Sequence, residues 1–276
     1  MPNYICQTCG TQFPSTEAPP EACPICQDER QYIGWRGQRW TTLAELRADH
    51  HNVFRTEEPN LTGIGAEPAF AIGQRALLIQ SPFGNLLWDC ATLIDNETIH
   101  TVKALGGLAA IAISHPHYYS SMVEWSHAFN HAPIYIHTSD AEWVMRPDPA
   151  VVFWEGETRA LGDGLTLIRC GGHFAGGQVL HWPAGADGRG VLLTGDILYV
   201  TSDRRYVSFM YSFPNLIPLP ERAVRRITRA LEPYAYDRLY SAWFDRVLAA
   251  DAKNAVARSA ERYIQALRDE FPLVLT

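Results

Sequence analysis

Ile111-Ala112-Ile113-Ser114-His115-Pro116-His117-Tyr118-Tyr119-Ser120 carries three apolar residues straight into a pair of histidines. The apolar run reads as a buried strand and the polar residues as its end. In an extended segment, residues i and i+2 point to the same side. Pro116 disfavours the α region at His115 and so favours that extended form. His115 and His117 are therefore expected to face one metal ion together.

Four further stretches build on this one. Asn85-Leu86-Leu87-Trp88-Asp89 ends an apolar strand in a carboxylate, and Gly171-Gly172-His173-Phe174-Ala175-Gly176-Gly177 sets a third histidine among glycines. Val191-Leu192-Leu193-Thr194-Gly195-Asp196 ends another apolar strand in Gly-Asp, and Leu239 to Asp245 follows a further helix. The opening stretch and the first three of these, in their order along the chain, resemble the metallo-β-lactamase fold superfamily, with its His-x-His-x-Asp-His signature, over roughly residues 65–270. The resemblance implies an α/β protein built as an αββα sandwich. It implies His115, His117 and His173 as nitrogen ligands, Asp196 as a carboxylate shared between two metals, and Asp89 as a buried acceptor that fixes the ligand loop.

The chain departs from that signature in its second half. Tyr119 stands at the Asp position and Ser120 at the second His position. The late family histidine has no counterpart in Leu239 to Asp245, where Trp243 or Phe244 takes its place. Only Asp196 remains of the second metal's ligands, so the core site is expected to be at most mononuclear. Tyr119 is read as a filler of the vacated site or as a hydrogen-bond donor to an oxyanion. Glu124 and His127, on one face of a helix after Ser120, could rebuild a second site or form an ordinary polar face. His137 ends a strand near this region.

Six cysteines divide into four and two. Cys6-Gln7-Thr8-Cys9 and Cys23-Pro24-Ile25-Cys26 are paired knuckles whose thiolates suit one tetrahedral ion. Residues 1–34 are too few to bury a stable core, so the metal would supply the folding energy. Two disulfides are the alternative, disfavoured where no export signal is seen. The segment resembles a rubredoxin-like module, which implies zinc or iron in the four-cysteine ribbon. The expected division is 1–34 for the ribbon and 35–276 for the metallo-β-lactamase-like domain with its connecting helix. Cys90 and Cys170 are each read as a buried small apolar residue or as a thiol lining the pocket.

Composition narrows the function. The chain has 276 residues, is 47% hydrophobic and carries a formal net charge of −7. Lys103 and Lys253 are its lysines, so a basic nucleic-acid footprint is not expected. Arg222, Arg225, Arg226 and Arg229 read as the solvated face of one helix. No apolar run approaches ~18 residues, and the expectation is a soluble, cytoplasmic protein that binds no membrane. A small-molecule substrate is expected, and homo-oligomers are possible.

Coarse patterning places helices near 96–105, after Ser120, from Ser139, from Pro220 to about Leu231, and over about 249–268. Strands are expected over about 69–80, 85–90, 109–114, 133–137, 151–154, 165–169, 178–182, 190–194 and 237–243. A turn through Pro82-Phe83-Gly84 joins the first two, residues 52–68 read as loop, and Thr41 or Thr42 caps a helix with Glu45 in capping-box range. Phe209 to Asn215 reads as core strand and turn, or as pocket lining.

Two kinds of chemistry suit the site. One zinc on His115, His117 and His173 would leave a fourth position for water, with Asp196 as its base, as in hydrolases acting on ester, thioester or lactone bonds. The persulfide dioxygenases of the fold hold iron through the counterparts of His115, His173 and Asp196, a two-His-one-carboxylate set. A non-catalytic binding relative is the third reading.

Overall fold

Short apolar strands with opposite faces committed to different partners set the architecture. The structure is a computed structural model that describes residues 1–82 and 84–270. Among the described residues, one sheet runs in the order Val151–Trp154, Ile134–His137, Ala110–Ala112, Leu86–Trp88, Ala76–Ile79, Leu61–Glu67, His51–Glu58. A second sheet runs Thr158–Gly162, Leu165–Arg169, Gln178–Trp182, Val191–Leu193, Arg238–Tyr240, Val247–Leu248.

Alternation along each strand decides which residues lie between the sheets. Leu77, Ile79, Leu86 and Trp88 of the first sheet share a cluster with Leu167, Leu180, Leu193 and Tyr240 of the second. Their neighbours Leu78 and Leu87 face outward, against Val102, Val123 and Trp125 of helices Asn96–Ala104 and Met122–Ala128. Ile168, Leu192 and Leu239 likewise face Val224 and Ile227 of Glu221–Leu231 and Val256 and Ile264 of Ala252–Leu267. Helix, sheet, sheet, helix is the expected layer order.

Leu86–Trp88, Ala110–Ala112, Ile134–His137 and Val151–Trp154 pair in parallel, as do Val191–Leu193 and Arg238–Tyr240. Asp89, Ser114-His115 and Gly195-Asp196 follow the carboxyl ends of these strands. That is where open α/β sheets gather ligands.

Residues 52–68 are not a loop. His51–Glu58 and Leu61–Glu67 form an antiparallel hairpin at the sheet edge. Its Gly63 and Gly65 answer to a distant ring: a Cβ at either would lie 2.8 or 2.7 Å from Phe244. They are strand glycines required by a close approach. Arg75, 1% exposed, lies beside that ring and pairs with Glu57 at 2.7 Å. The strand expected over 69–80 is correspondingly confined to Ala76–Ile79, and Thr158–Gly162 is a further strand. Of the turn expected through Pro82-Phe83-Gly84, Phe83 lies outside the described residues.

At the N-terminus Asn3–Cys6 pairs with Gln12–Ser15 and with Trp40–Thr41, so this small sheet draws its third strand from beyond residue 34. Thr42 then caps Leu43–Asp49 in a full capping box with Glu45. Gln12 N–H donates to the Ser120 carbonyl at 3.0 Å, and the Thr92 hydroxyl to the Gly10 carbonyl at 3.3 Å. Trp143 and Met145 pack on the apolar core of the segment. No helix among the described residues is long and apolar enough to cross a membrane.

Candidate metal centres

Cys6, Cys9, Cys23 and Cys26 are buried and converge. The Cys6–Cys26 and Cys9–Cys23 sulfurs are 3.6 and 3.7 Å apart, far beyond the ~2.0 Å of a disulfide. A tetrahedral ion with metal–sulfur bonds of ~2.3 Å sets its sulfurs about 3.8 Å apart. The spacing fits an ion and not two disulfides. Hydrogen bonding with Cys23 pulls Cys6 below the ordinary thiol range and pushes Cys9 and Cys26 above it. Gln38 Nε2 donates to Cys6 Sγ at 3.3 Å.

The second centre lies between the sheets' carboxyl ends. Ligand atoms of His115, His117, His173 and Asp196 lie within 4.8 Å of one another, and no residue of the four is more than 3% exposed. His115 Nε2 lies 3.1 Å from Asp196 Oδ1, and His173 Nε2 lies 3.1 Å from His117 Nδ1. Nitrogen and oxygen ligands at ~2.0–2.1 Å from a tetrahedral ion stand about 3.3 Å apart. His115 Nε2 and Asp196 Oδ1, which face each other, are buried without a hydrogen-bond partner. Orphaned buried polar atoms are costly, and a cation held among them relieves that cost. The donor set therefore fits a divalent metal.

Neighbours fix each ligand. Asp89, with φ 58°, accepts the Ser114 backbone N–H at 2.7 Å and also bonds its hydroxyl. Ser114 Oγ lies 2.9 Å from His115 Nδ1 and is placed to accept its proton, leaving Nε2 free to ligate. A Cβ on Gly195 would lie 2.4 Å from Ser114 Oγ, so only glycine lets the Asp196 turn approach so closely. His173 Nδ1 donates to the Met210 carbonyl at 3.2 Å, which frees its Nε2 in the same way. Phe174 packs its ring against all three imidazoles, with centroids 5.0–5.5 Å away.

Burial sets the protonation. It holds His115 and His117 well below the usual imidazole range, with the neighbouring His173 adding to the effect, and brings His173 down to about 4. It pushes Asp196 up to about 8 against the Tyr118 hydrogen bond, and Asp89 up to about 7 against its Ser114 bonds. Near neutral pH the three imidazoles are thus in the form that ligates.

The phenol at the site is Tyr118, not the expected Tyr119. Pro116–Tyr118 is a 3₁₀ turn rather than a continued strand. Residues i and i+3 eclipse in that geometry, so Tyr118 returns beneath His115, ring centroids 4.5 Å apart. Its hydroxyl donates to Asp196 Oδ2 at 3.0 Å. Tyr119 instead donates to the Asp140 carbonyl at 3.3 Å. Ser120 accepts from Gln74 Nε2 at 3.0 Å. Trp243 stands behind Tyr118 at 6.5 Å, whereas Phe244 lies on Gly63 and Gly65.

Other candidates fall outside the centre. Glu124 pairs with Arg146 at 2.6 Å, and His127 with Asp148 at 2.9 Å. His137 bonds the Gly156 carbonyl and the Ser139 N–H. Cys90 and Cys170 lie in two separate apolar clusters. Among the arginines of Glu221–Leu231, Arg225 pairs with Glu221 and Arg226 with Glu157, at the surface. The segment from Phe209 does wall the site, through the Met210 carbonyl and the Phe213 ring, 5.8 Å from His173. Arg30 was missed: its guanidinium lies 3.9 Å from the centre of the Phe174 ring.

No family model matches this sequence. A curated relative does: the uncharacterized protein YmaE of Bacillus subtilis (strain 168) is 54% identical over 272 residues, 98% of each chain. The chain belongs to the YmaE family. Among solved structures, the crystal structure of VMB-1 at pH 5.5 covers 79% of this YmaE-family chain and 98% of its own, with TM-score 0.58 and 11% identity. That of DIM-1 metallo-β-lactamase covers 78% and 98%, with TM-score 0.58 and 14% identity. These likenesses show that the YmaE-family chain has the metallo-β-lactamase fold.

Proposed function

We propose that this protein is a metal-dependent hydrolase-like enzyme with a mononuclear core centre, acting on an ester, thioester or lactone bond of a small molecule. The observation that carries the reading is the convergence of His115, His117, His173 and Asp196, with His115 Nε2 and Asp196 Oδ1 buried and lacking hydrogen-bond partners. A zinc ion there would polarise a carbonyl and make water acidic enough to attack it near neutral pH. Asp196 would help to hold the ion through Oδ1 and, beside it, orient the attacking water or take its proton, while Tyr118 holds the other carboxylate oxygen in place. Tyr119 and Ser120 at the missing ligand positions, and the Tyr118 hydroxyl bound to the free side of Asp196, support one ion rather than two. Phe174, Trp243 and Phe213 would exclude bulk water. The N-terminal four-cysteine segment would be a rubredoxin-like ribbon holding zinc or iron.

A second reading, an iron oxidoreductase using His115, His173 and Asp196, is favoured by one observation. Trp143 packs on the apolar core around the four cysteines and lies 5.6 Å from Phe174, so aromatic rings connect the two centres. Protein loaded with zinc or with ferrous iron separates the readings when offered ester, thioester and lactone panels, and a glutathione persulfide with oxygen uptake recorded. Zinc-dependent hydrolysis supports the first reading. Iron-dependent oxygen consumption would replace it with the second.

A further inference from the structure

The turn Pro24–Gln27 contains the second knuckle's closing thiolate, Cys26, and runs directly into Asp28, Glu29 and Arg30. Those three residues leave the thiolate centre and reach the core centre. Asp28 N–H donates back to the Pro24 carbonyl, and its carboxylate grips Arg30 in two bonds, Nε at 2.6 Å and Nη2 at 2.8 Å. The remaining Arg30 nitrogen, Nη1, donates to the His173 carbonyl at 3.3 Å, and the guanidinium covers Phe174. Glu29 works from the other side. Its carbonyl accepts Ser212 Oγ and Asn215 Nδ2, each at 2.7 Å. Ser212 ends the strand Met210–Ser212, and the Met210 carbonyl takes the His173 Nδ1 proton.

His173 is thus held at its backbone through Arg30 and at its ring through the Glu29-anchored strand. Both supports begin two to four residues after Cys26. We propose that Asp28, Glu29 and Arg30 are positioning residues that couple the two centres: an ion on the thiolates fixes the knuckle, the knuckle fixes Glu29 and Arg30, and they hold His173 in its ligating orientation. Metal loading of the thiolate site then sets the affinity of the core site. The inference rests on the reading of the core as a metal site and adds its regulation.

Cobalt titration of the full chain against a competing chelator tests it. Thiolate-to-cobalt charge-transfer bands in the near ultraviolet report the four-cysteine site alone, and total bound cobalt less that occupancy reports the core. In Arg30→Ala, and in Ser212→Ala/Asn215→Ala, the core affinity should fall on the order of 10–100-fold, as for lost supports of metal ligands, while the thiolate bands persist. The double variant lies outside the four-cysteine segment and decides the matter should Arg30→Ala unfold it. Cys23→Ser should weaken the core by a similar factor, with little further loss when combined with Arg30→Ala. Core affinity unchanged in these variants, beside two bound ions in the wild type, would overturn the coupling alone. A wild type binding one ion, on the thiolates, would overturn the core reading and the coupling together.

Discussion

Replacing Tyr118 by Phe deletes one oxygen from a fully buried ring and leaves the packing under His115 in place. The phenol donates to Asp196 Oδ2 at 3.0 Å, and Tyr118 and Asp196 are 0% and 3% exposed. Water cannot replace the lost donor without rearrangement. A hydrogen bond to a charged group contributes about 1.5–3 kcal/mol. The charged carboxylate is the metal-binding form, so its loss should appear in the binding constant. At about 1.4 kcal/mol per tenfold, core metal affinity should fall about 10–150-fold. Chelator competition on Tyr118→Phe measures this directly. Tyr119→Phe is the control, because its hydroxyl meets only the Asp140 carbonyl. That variant should lose about 0.5–1.5 kcal/mol of stability and none of its core affinity. Equal metal affinity in the two variants, or a larger loss in Tyr119→Phe, would refute the assignment of Tyr118 to Asp196.

Glu57→Gln leaves the Arg75 guanidinium buried beside a neutral partner. Removing one member of a buried pair costs about 3–5 kcal/mol, and a loss under about 1 kcal/mol in urea denaturation would show that the pair is unimportant. Metal-depleted protein should lose stability as pH rises from about 6.5 to 8. Folded Asp196 keeps its proton up to about 8 and Asp89 up to about 7, whereas the unfolded carboxyls released theirs near the ordinary 3.8. Stability from such raised groups is full below the unfolded value and is lost as pH passes the folded one. The imidazoles, held low in the fold, oppose this only below their ordinary 6.5. Metal-loaded protein should lose the Asp196 part of this slope and fall less steeply over the same window, since Asp196 is then ionised in the folded and the unfolded state alike; parallel thermal-melt curves for the two forms would count against Asp196 as a ligand.

Most of the fold was legible because its strands are short apolar runs that end in polar residues. Val151–Trp154, Leu165–Arg169 and Gln178–Trp182 lie where the pattern put them. The edge hairpin was not legible as strand, because Gly63 and Gly65 answer to Phe244, far away in sequence. At the site, the three histidines and Asp196 could be named from motif order. The swap of Tyr118 for Tyr119 could not, because Pro116 starts a 3₁₀ turn where the motif suggested continued strand. Eclipsing of i and i+3 was the available signal. Arg30 gave no local signal: its role depends on how the four-cysteine segment docks on Phe174.

Metal content per chain, measured on protein purified without added metal and on His173→Ala, tests the account most directly. Two ions in the wild type are expected, one on the four thiolates and one on the histidines and Asp196, and one ion in the variant. Three ions in the wild type, with two of them within ~4 Å of each other as in binuclear sites, would contradict the mononuclear centre, and one ion in both proteins would contradict the core metal site itself.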